Sequence, residues 1–305
     1  MHTPTLNYAE FSGTPYHLGV AMGRHTASIV HEYLLHTAYW ETLMQWRGTA
    51  ELQGLLELVQ QQHPYIHDEL QGLARGLELP FEDVFLWNCR GDFDMPPPDS
   101  STTLMIPDEA GQRLVHSAGG PSGFLGHATL SECHPDNGPA FISLVYPGSL
   151  AGHSVSVTAN GLAVVIDSMQ SANINPGLPR LVLSRALLNM TDMSSCVTFL
   201  NEASRAGSFH TALVQRGKGR TLSIECSHEH VSVQAIKSET EHANQAIHPE
   251  MTKPDAAYAG KPEQDNSLHA LATVDITAGP EQVDWAVYEQ PDAAARFKLI
   301  DASHI

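Results

Sequence analysis

The sequence predicts an α+β fold, with helices segregated onto the faces of antiparallel sheets. Three observations carry that expectation. The first 90 residues read mostly as helix, with apolar residues recurring at roughly helical spacing. The run MPPPDSS at 95–101 ends that texture, because consecutive prolines neither continue a helix nor join the middle of a sheet. After it come short apolar runs, two of them joined by Asn160-Gly161, a strong hairpin signal.

Taken in order, residues 16–46 place Leu18, Ala21, Met22, Ile29, Tyr33, Leu34, Tyr39 and Leu43 on a helical period. A second helix is expected over 50–62 and a third from Pro64 to Gly76, where the glycine suits a helix stop. FEDVFLWN at 81–88 reads as a short helix. Strands are expected at 102–106, 139–146, 154–159 and 162–167. Residues 180–204 return to helix as a pair broken near Thr191-Asp192. TALVQ, TLSIE and VSVQAI then form a meander whose first turn is Gly217-Lys218-Gly219. Residues 237–268 are polar and irregular, and ALATVDI and VDWAVYE close the fold as a strand pair. The order of helices, sheet, helices, sheet is not a βαβ repeat, and neither GxGxxG nor GxxxxGK[ST] occurs.

The 305 residues are 42% hydrophobic and 16% charged, ample for a buried core. Lys and Arg total 16 against 34 Asp and Glu, a formal net charge of -18 that repels phosphate backbones. Nucleic acid is therefore not an expected partner. No basic segment followed by an apolar run opens the chain, and no stretch approaches the roughly 18 apolar residues of a membrane span. Cys89, Cys133, Cys196 and Cys226 form no CxxC pair, so a reducing cytoplasm is the expected setting.

The 18 histidines invite a metal reading, which their spacing does not support. HEYLLH at 31–36 sets its histidines five apart rather than the four that share a helix face. His63 with His67, and His228 with His230, each offer two ligands and no third at a familiar spacing. No metal and no cofactor is expected. Cys196 and Cys226 read as buried packing residues. Cys89 lies beside Arg90, which could lower a thiol pKa, but no base partner is visible and a structural role is favoured.

Several segments resemble one known family. GTPYHLGVAMG at 13–23 is similar to its opening G-x-P-Y-x-x-G-x-x-x-G, and residues 63–92 to a P-Y-x-x-E-[IL]-x-G-[IL]-A-x-G stretch followed by L-x-N-x-R-x-E. YPGSLAGHSVSVTANGLAVVIDSM at 146–169, LPRLVLSRALL after it, and EHANQ at 241–245 continue the likeness in the right order. The family is the acyl-coenzyme A:6-aminopenicillanic acid acyltransferases, N-terminal-nucleophile hydrolases whose relatives include β-alanyl-amine hydrolases. The resemblance implies a four-layer αββα sandwich in one domain, 1–305. Residues 1–100 would form a mainly helical α chain, and 101–305 a β chain that begins at the nucleophile.

In the family the chain cuts itself before a Cys within G-C-T-[ST]; here the matching residues are Ser100-Ser101-Thr102-Thr103. Ser101 thus stands where the nucleophile is expected, either as a working hydroxyl or as a replacement that leaves the precursor uncut. The resemblance also implies roles for Asn244 as a hydrogen-bond donor and for Asp167 at an oxyanion-holding position, where a carboxylate would repel developing negative charge. Arg90 could clamp a substrate carboxylate beside Thr102 and Thr103, or equally form an ion pair with Asp92 or Asp94. Glu69 is expected to cap a helix. Two family features are missing: VHSAGGPSG at 115–123 lacks the N-x-D motif, and NSLHALATVDI lacks a Ser-x-x-Arg segment. The expected partner is a small-molecule amide, with no nucleic acid or membrane; the two fragments would stay associated, and a homodimer is left open. The alternative is an uncut, inactive binding or scaffold protein on the same fold.

Overall fold

A computed structural model describes residues 6–93, 99–108, 111–169, 175–252, 268–289 and 294–299. The chain opens with strand β1 (Asn7–Gly13), followed by helices α1 (Pro15–Glu32), α2 (Ala38–Leu43), α3 (Ala50–Gln62), α4 (Pro64–Leu77) and α5 (Phe81–Trp87). Strands β2 (Ser100–Pro107), β3 (Gln112–Pro121), β4 (Thr129–Pro135), β5 (Phe141–Val145), β6 (Val155–Thr158) and β7 (Leu162–Met169) come next. Helices α6 (Arg180–Leu187) and α7 (Met193–Glu202) precede β8 (Ser208–Gln215), β9 (Leu222–Cys226), β10 (Val231–Ala235), β11 (Thr240–His242), β12 (Leu268–Ala278), β13 (Val283–Tyr288) and β14 (Phe297–Leu299).

The strands form two sheets. One has eight strands in the order β1-β4-β5-β6-β7-β8-β9-β10, the other six in the order β11-β2-β3-β12-β13-β14. The sheets face each other, with β2 lying over β7 and β3 over β8. Strands β5 to β9 are buried along their whole length, as expected of a sheet covered on both sides. Helices cover its other face: α1 packs on β1 and β4, α7 on β8 and β10, and Arg185 of α6 lies over the Phe141 ring of β5 at 4.8 Å. β13 alternates buried and half-buried residues, and the Arg113–Asp275 pair is partly exposed. The α+β class therefore holds, with one helical layer and two sheets among the described residues.

Several expectations are refined. The period over 16–46 is broken at Tyr33, and Thr37 starts a new helix by accepting from Trp40 N. Gly76 lies inside α4 rather than ending it; the helix ends at Leu77, followed by Glu78 at φ 57. The physical reason is a close crossing with α1, where a Cβ on Gly76 would sit 2.3 Å from the Val20 carbonyl oxygen. Gly19, Gly23 and Gly72 are held to glycine by the same contact. The Asn160-Gly161 turn joins β6 to β7 as expected, with Gly161 at φ 68. β1, β3, β4, β11 and β14 form where the sequence predicts no strand. The prolines at 96–98 and Asp94 lie outside the described residues. No helix among the described residues is long and apolar enough to cross a membrane.

Candidate active site

The two sheets bring Ser101 and Asp167 together. Ser101 belongs to β2 and Asp167 to β7, and across the interface the Ser101 hydroxyl donates to Asp167 Oδ1 at 2.6 Å. Asn244 holds the other side of Ser101. It follows β11, which pairs with β2 through His242↔Thr103, and it sits at φ 56, a left-handed conformation that Asn tolerates better than most residues. Its Oδ1 accepts from Ser101 N at 3.1 Å, while its Nδ2 donates to the Ser168 carbonyl at 2.8 Å and the Ser168 hydroxyl at 3.1 Å. The amide orientation is fixed by chemistry, since Ser101 N can only donate and the Ser168 carbonyl can only accept. Asn244 Nδ2 is therefore directed at Ser168.

Behind Asp167 lies a buried polar network. His210 Nδ1 is 2.8 Å from Asp167 Oδ2, and its Nε2 is 2.9 Å from Ser223 Oγ, which in turn lies 2.9 Å from His248 Nε2. The His242 ring stacks on His210 with centroids 3.8 Å apart. Its Nδ1 is 3.5 Å from Asp167 Oδ2 and its Nε2 3.5 Å from Glu225 Oε1. On the opposing sheet His116 Nδ1 meets the Thr103 hydroxyl at 2.9 Å and Nε2 meets Ser154 Oγ at 3.1 Å, with Asp167 Oδ1 3.7 Å away.

The electrostatics follow from this packing. Burial alone would raise the Asp167 pKa, but His210 and His242 outweigh it and hold the carboxyl well below its usual range. Burial would likewise lower His242; the two flanking carboxylates prevail and raise it to about 9. His210 is pushed down to about 4 by burial and by the His242 charge, against the pull of Asp167. At neutral pH the centre is thus an ionised Asp167, an imidazolium at His242 and a neutral His210. This alters the repulsion anticipated at Asp167: its charge is matched by His242, and it accepts from the Ser101 hydroxyl.

Asp167, His210 and His242 place ligand-type atoms within 4.8 Å of one another, which suits a metal by distance. The two imidazoles are stacked at an interplanar angle of 12°, so their in-plane lone pairs run side by side rather than converging on one ion. The donor set fits a hydrogen-bonded charge network better than a coordination sphere.

The remaining expected residues fall as follows. Arg90 is fully buried and pairs with Asp99 at 3.1 Å, not with Asp92, which instead accepts from Arg180 N. Strand alternation turns Ser100 and Thr102 to the face of β2 opposite Ser101, and the Thr103 hydroxyl is engaged by His116. Neither threonine is therefore presented to a substrate beside Ser101. Glu69 lies within α4 and makes a buried pair with Arg185 at 2.9 Å, so it ties α4 to α6 and caps nothing. All four cysteines are free and buried. Burial, then Asp92, push the Cys89 thiol well above its usual range, opposite to the lowering that Arg90 suggested. The sequence reading missed His116, His210, Ser223, Glu225 and His248; only His242 stood in a noted motif, EHANQ.

Residues 120–265 match the model of the family described as Acyl-coenzyme A:6-aminopenicillanic acid acyl-transferase. Over that stretch, a little under half of the chain, the sequence is similar to this family. The matched residues include Asp167, His210, Glu225, His242 and Asn244, while Arg90 and Ser101 precede them. The chain is also similar to the beta-alanyl-dopamine/carcinine hydrolase of Drosophila melanogaster, 24% identical over 218 residues. That alignment covers 63% of this chain and 56% of the fly protein, so the chain spans little more than half of that relative's length.

Proposed function

We propose that the protein is an amide hydrolase or acyltransferase that uses Ser101 as its nucleophile and frees that residue by cutting its own chain. The observation that carries this reading is the 2.6 Å hydrogen bond from the Ser101 hydroxyl to a buried, ionised Asp167. The match to an acyltransferase family model and the similarity to a beta-alanyl-dopamine/carcinine hydrolase support the reaction class.

In the uncut chain Ser101 Oγ attacks the Ser100 carbonyl. The hydroxyl proton has Asp167 Oδ1 as its acceptor, the peptide C–N bond breaks, and the nitrogen takes up a proton. The product is an ester between Ser100 and the Ser101 side chain, which water hydrolyses to release a Ser100 carboxylate and a free Ser101 amine. That amine, ordinarily with a pKa of about 7.7–8.0, then serves as the general base for the adjacent hydroxyl. Asp167, held so far below its usual range, is a weak base and acts chiefly by orienting and polarising the hydroxyl. A substrate amide follows the same course: Ser101 takes its acyl group, the amine leaves, and water or a second amine accepts the acyl. On this reading the two facing sheets and their helices are the central part of the αββα sandwich of N-terminal-nucleophile hydrolases, divided into chains of residues 1–100 and 101–305.

A second reading is an uncut binding or scaffold protein. It is favoured by the regularity of β2, where Ser100 and Ser101 pair with Gly119 and Ala118 across the bond to be cut. Intact mass under denaturing conditions separates the two. Fragments of residues 1–100 and 101–305, absent in Ser101→Ala, support the enzyme; a single species of 33.1 kDa that turns over no amide supports the scaffold.

A further inference from the structure

Asp99, two residues before the bond that the reading above would cut, sits in a cationic pocket. Arg90 Nε lies 3.1 and 3.2 Å from its two carboxylate oxygens, and Arg180 Nη2 lies 3.6 Å from Oδ2. Both guanidiniums are almost entirely buried, whereas the Asp99 side chain keeps 12% exposure. The carboxylate therefore lies at the mouth of the pocket with the cations behind it.

The pocket offers more than Asp99 uses. Arg90 Nη2 and the Tyr39 hydroxyl are buried with no hydrogen-bond partner among the described residues, and Tyr39 is within electrostatic range of both Asp99 and Arg90. Asp92 is a poor counter-charge, because burial raises its pKa to about 7 despite Arg180. Taking Asp99 away leaves two buried guanidiniums with too little negative charge, a state that a new anion relieves. Apart from its carboxylate, Asp99 is held among the described residues by one bond, from the Ser168 hydroxyl to its carbonyl at 3.2 Å. A cut after Ser100 severs the segment that ends in Asp99-Ser100 from the rest of β2.

We propose that the Arg90–Arg180 pocket is a carboxylate-binding subsite occupied in the uncut chain by Asp99, and that the substrate carries a carboxylate on the acyl side of its amide bond. The acyl side is specified because Asp99 belongs to the acyl half of the Ser100–Ser101 peptide. This substrate class rests on the enzyme reading; the anion pocket itself does not.

Two measurements test it. The first compares Ser101→Ala with the double variant Asp99→Ala, Ser101→Ala, both unable to cut, in acetate or glutarate against equimolar chloride. The double variant is expected to gain on the order of 2 °C in Tm at an anion concentration roughly ten times its Kd, and the single variant nothing. If the double variant folds only with the carboxylate present, the proposal is equally supported; no response, or the same response in both proteins, overturns the pocket. The second measures 4-nitroaniline release from glutaryl- and acetyl-4-nitroanilide by the cut protein. A preference of about tenfold or more for the glutaryl compound, lost in Arg90→Gln, supports the substrate class. Equal turnover of the two overturns it while leaving the enzyme reading intact. Absence of any cutting or turnover removes the enzyme reading, and with it the substrate class, while the anion titration still judges the pocket.

Discussion

Ser101 and Asp167 meet across the interface of two sheets, the hydroxyl of one donating to the carboxylate of the other at 2.6 Å. Neither sheet alone contains the pair. The site exists because β2 and β7 face each other, and its charge is tolerable because His242 lies on the far side of the same carboxylate.

Asp167→Asn removes the negative acceptor while keeping the side chain's shape. Self-cutting is expected to slow by about 10²-fold, the scale of a lost positioning contact. A time course of intact mass after purification reads the rate directly, and wild-type speed in this variant would remove Asp167 from the mechanism.

The paired shifts of the buried histidines set a pH window for stability. His242 has its folded pKa raised from the ordinary value of about 6.5 to about 9. Its contribution is therefore fully present below about pH 6.5 and is lost as pH rises through 9. His210 is lowered to about 4, so it binds its proton later than the unfolded chain does, and stability falls as pH drops from about 6.5 toward 4. Chemical denaturation across pH 4–10 should give a maximum near pH 6.5, and His242→Gln should flatten the alkaline limb. An unchanged alkaline limb in that variant would mean that His242 is neutral in the native state.

Glu69→Gln leaves Arg185 buried without its carboxylate. Breaking a buried pair by removing one partner costs about 3–5 kcal/mol, so the urea midpoint should fall sharply or the protein fail to accumulate. A midpoint close to wild type would show that water reaches Arg185 in the α4–α6 contact.

Local elements were the most legible. α3, α4 and α5 followed from apolar periodicity, and the β6–β7 hairpin from Asn160-Gly161. β3 was hidden because QRLVHSAGGP carries two consecutive glycines and few β-branched residues; a Cβ on Gly120 would meet Leu271 of β12 at 2.9 Å and Tyr146, just past β5, at 3.4 Å, so its smallness is a packing demand from distant segments. β1 was hidden for the opposite reason: it is an edge strand with several exposed residues and no apolar alternation.

By itself the sequence determined the α+β class, most helices and the β6–β7 hairpin, and it singled out Ser101, Asp167 and Asn244. These are properties of local pattern or of motif order along the chain. The tertiary structure alone decided which partners those residues meet. Asp167, His210, Glu225 and His242 come from four strands, and the ionisation of each depends on which of the others it touches. The same holds for Arg90, whose partner proved to be Asp99 and not its neighbour Asp92. A buried charge has no defined energy until its counter-charge is known, and the pairing of distant strands is what supplies it.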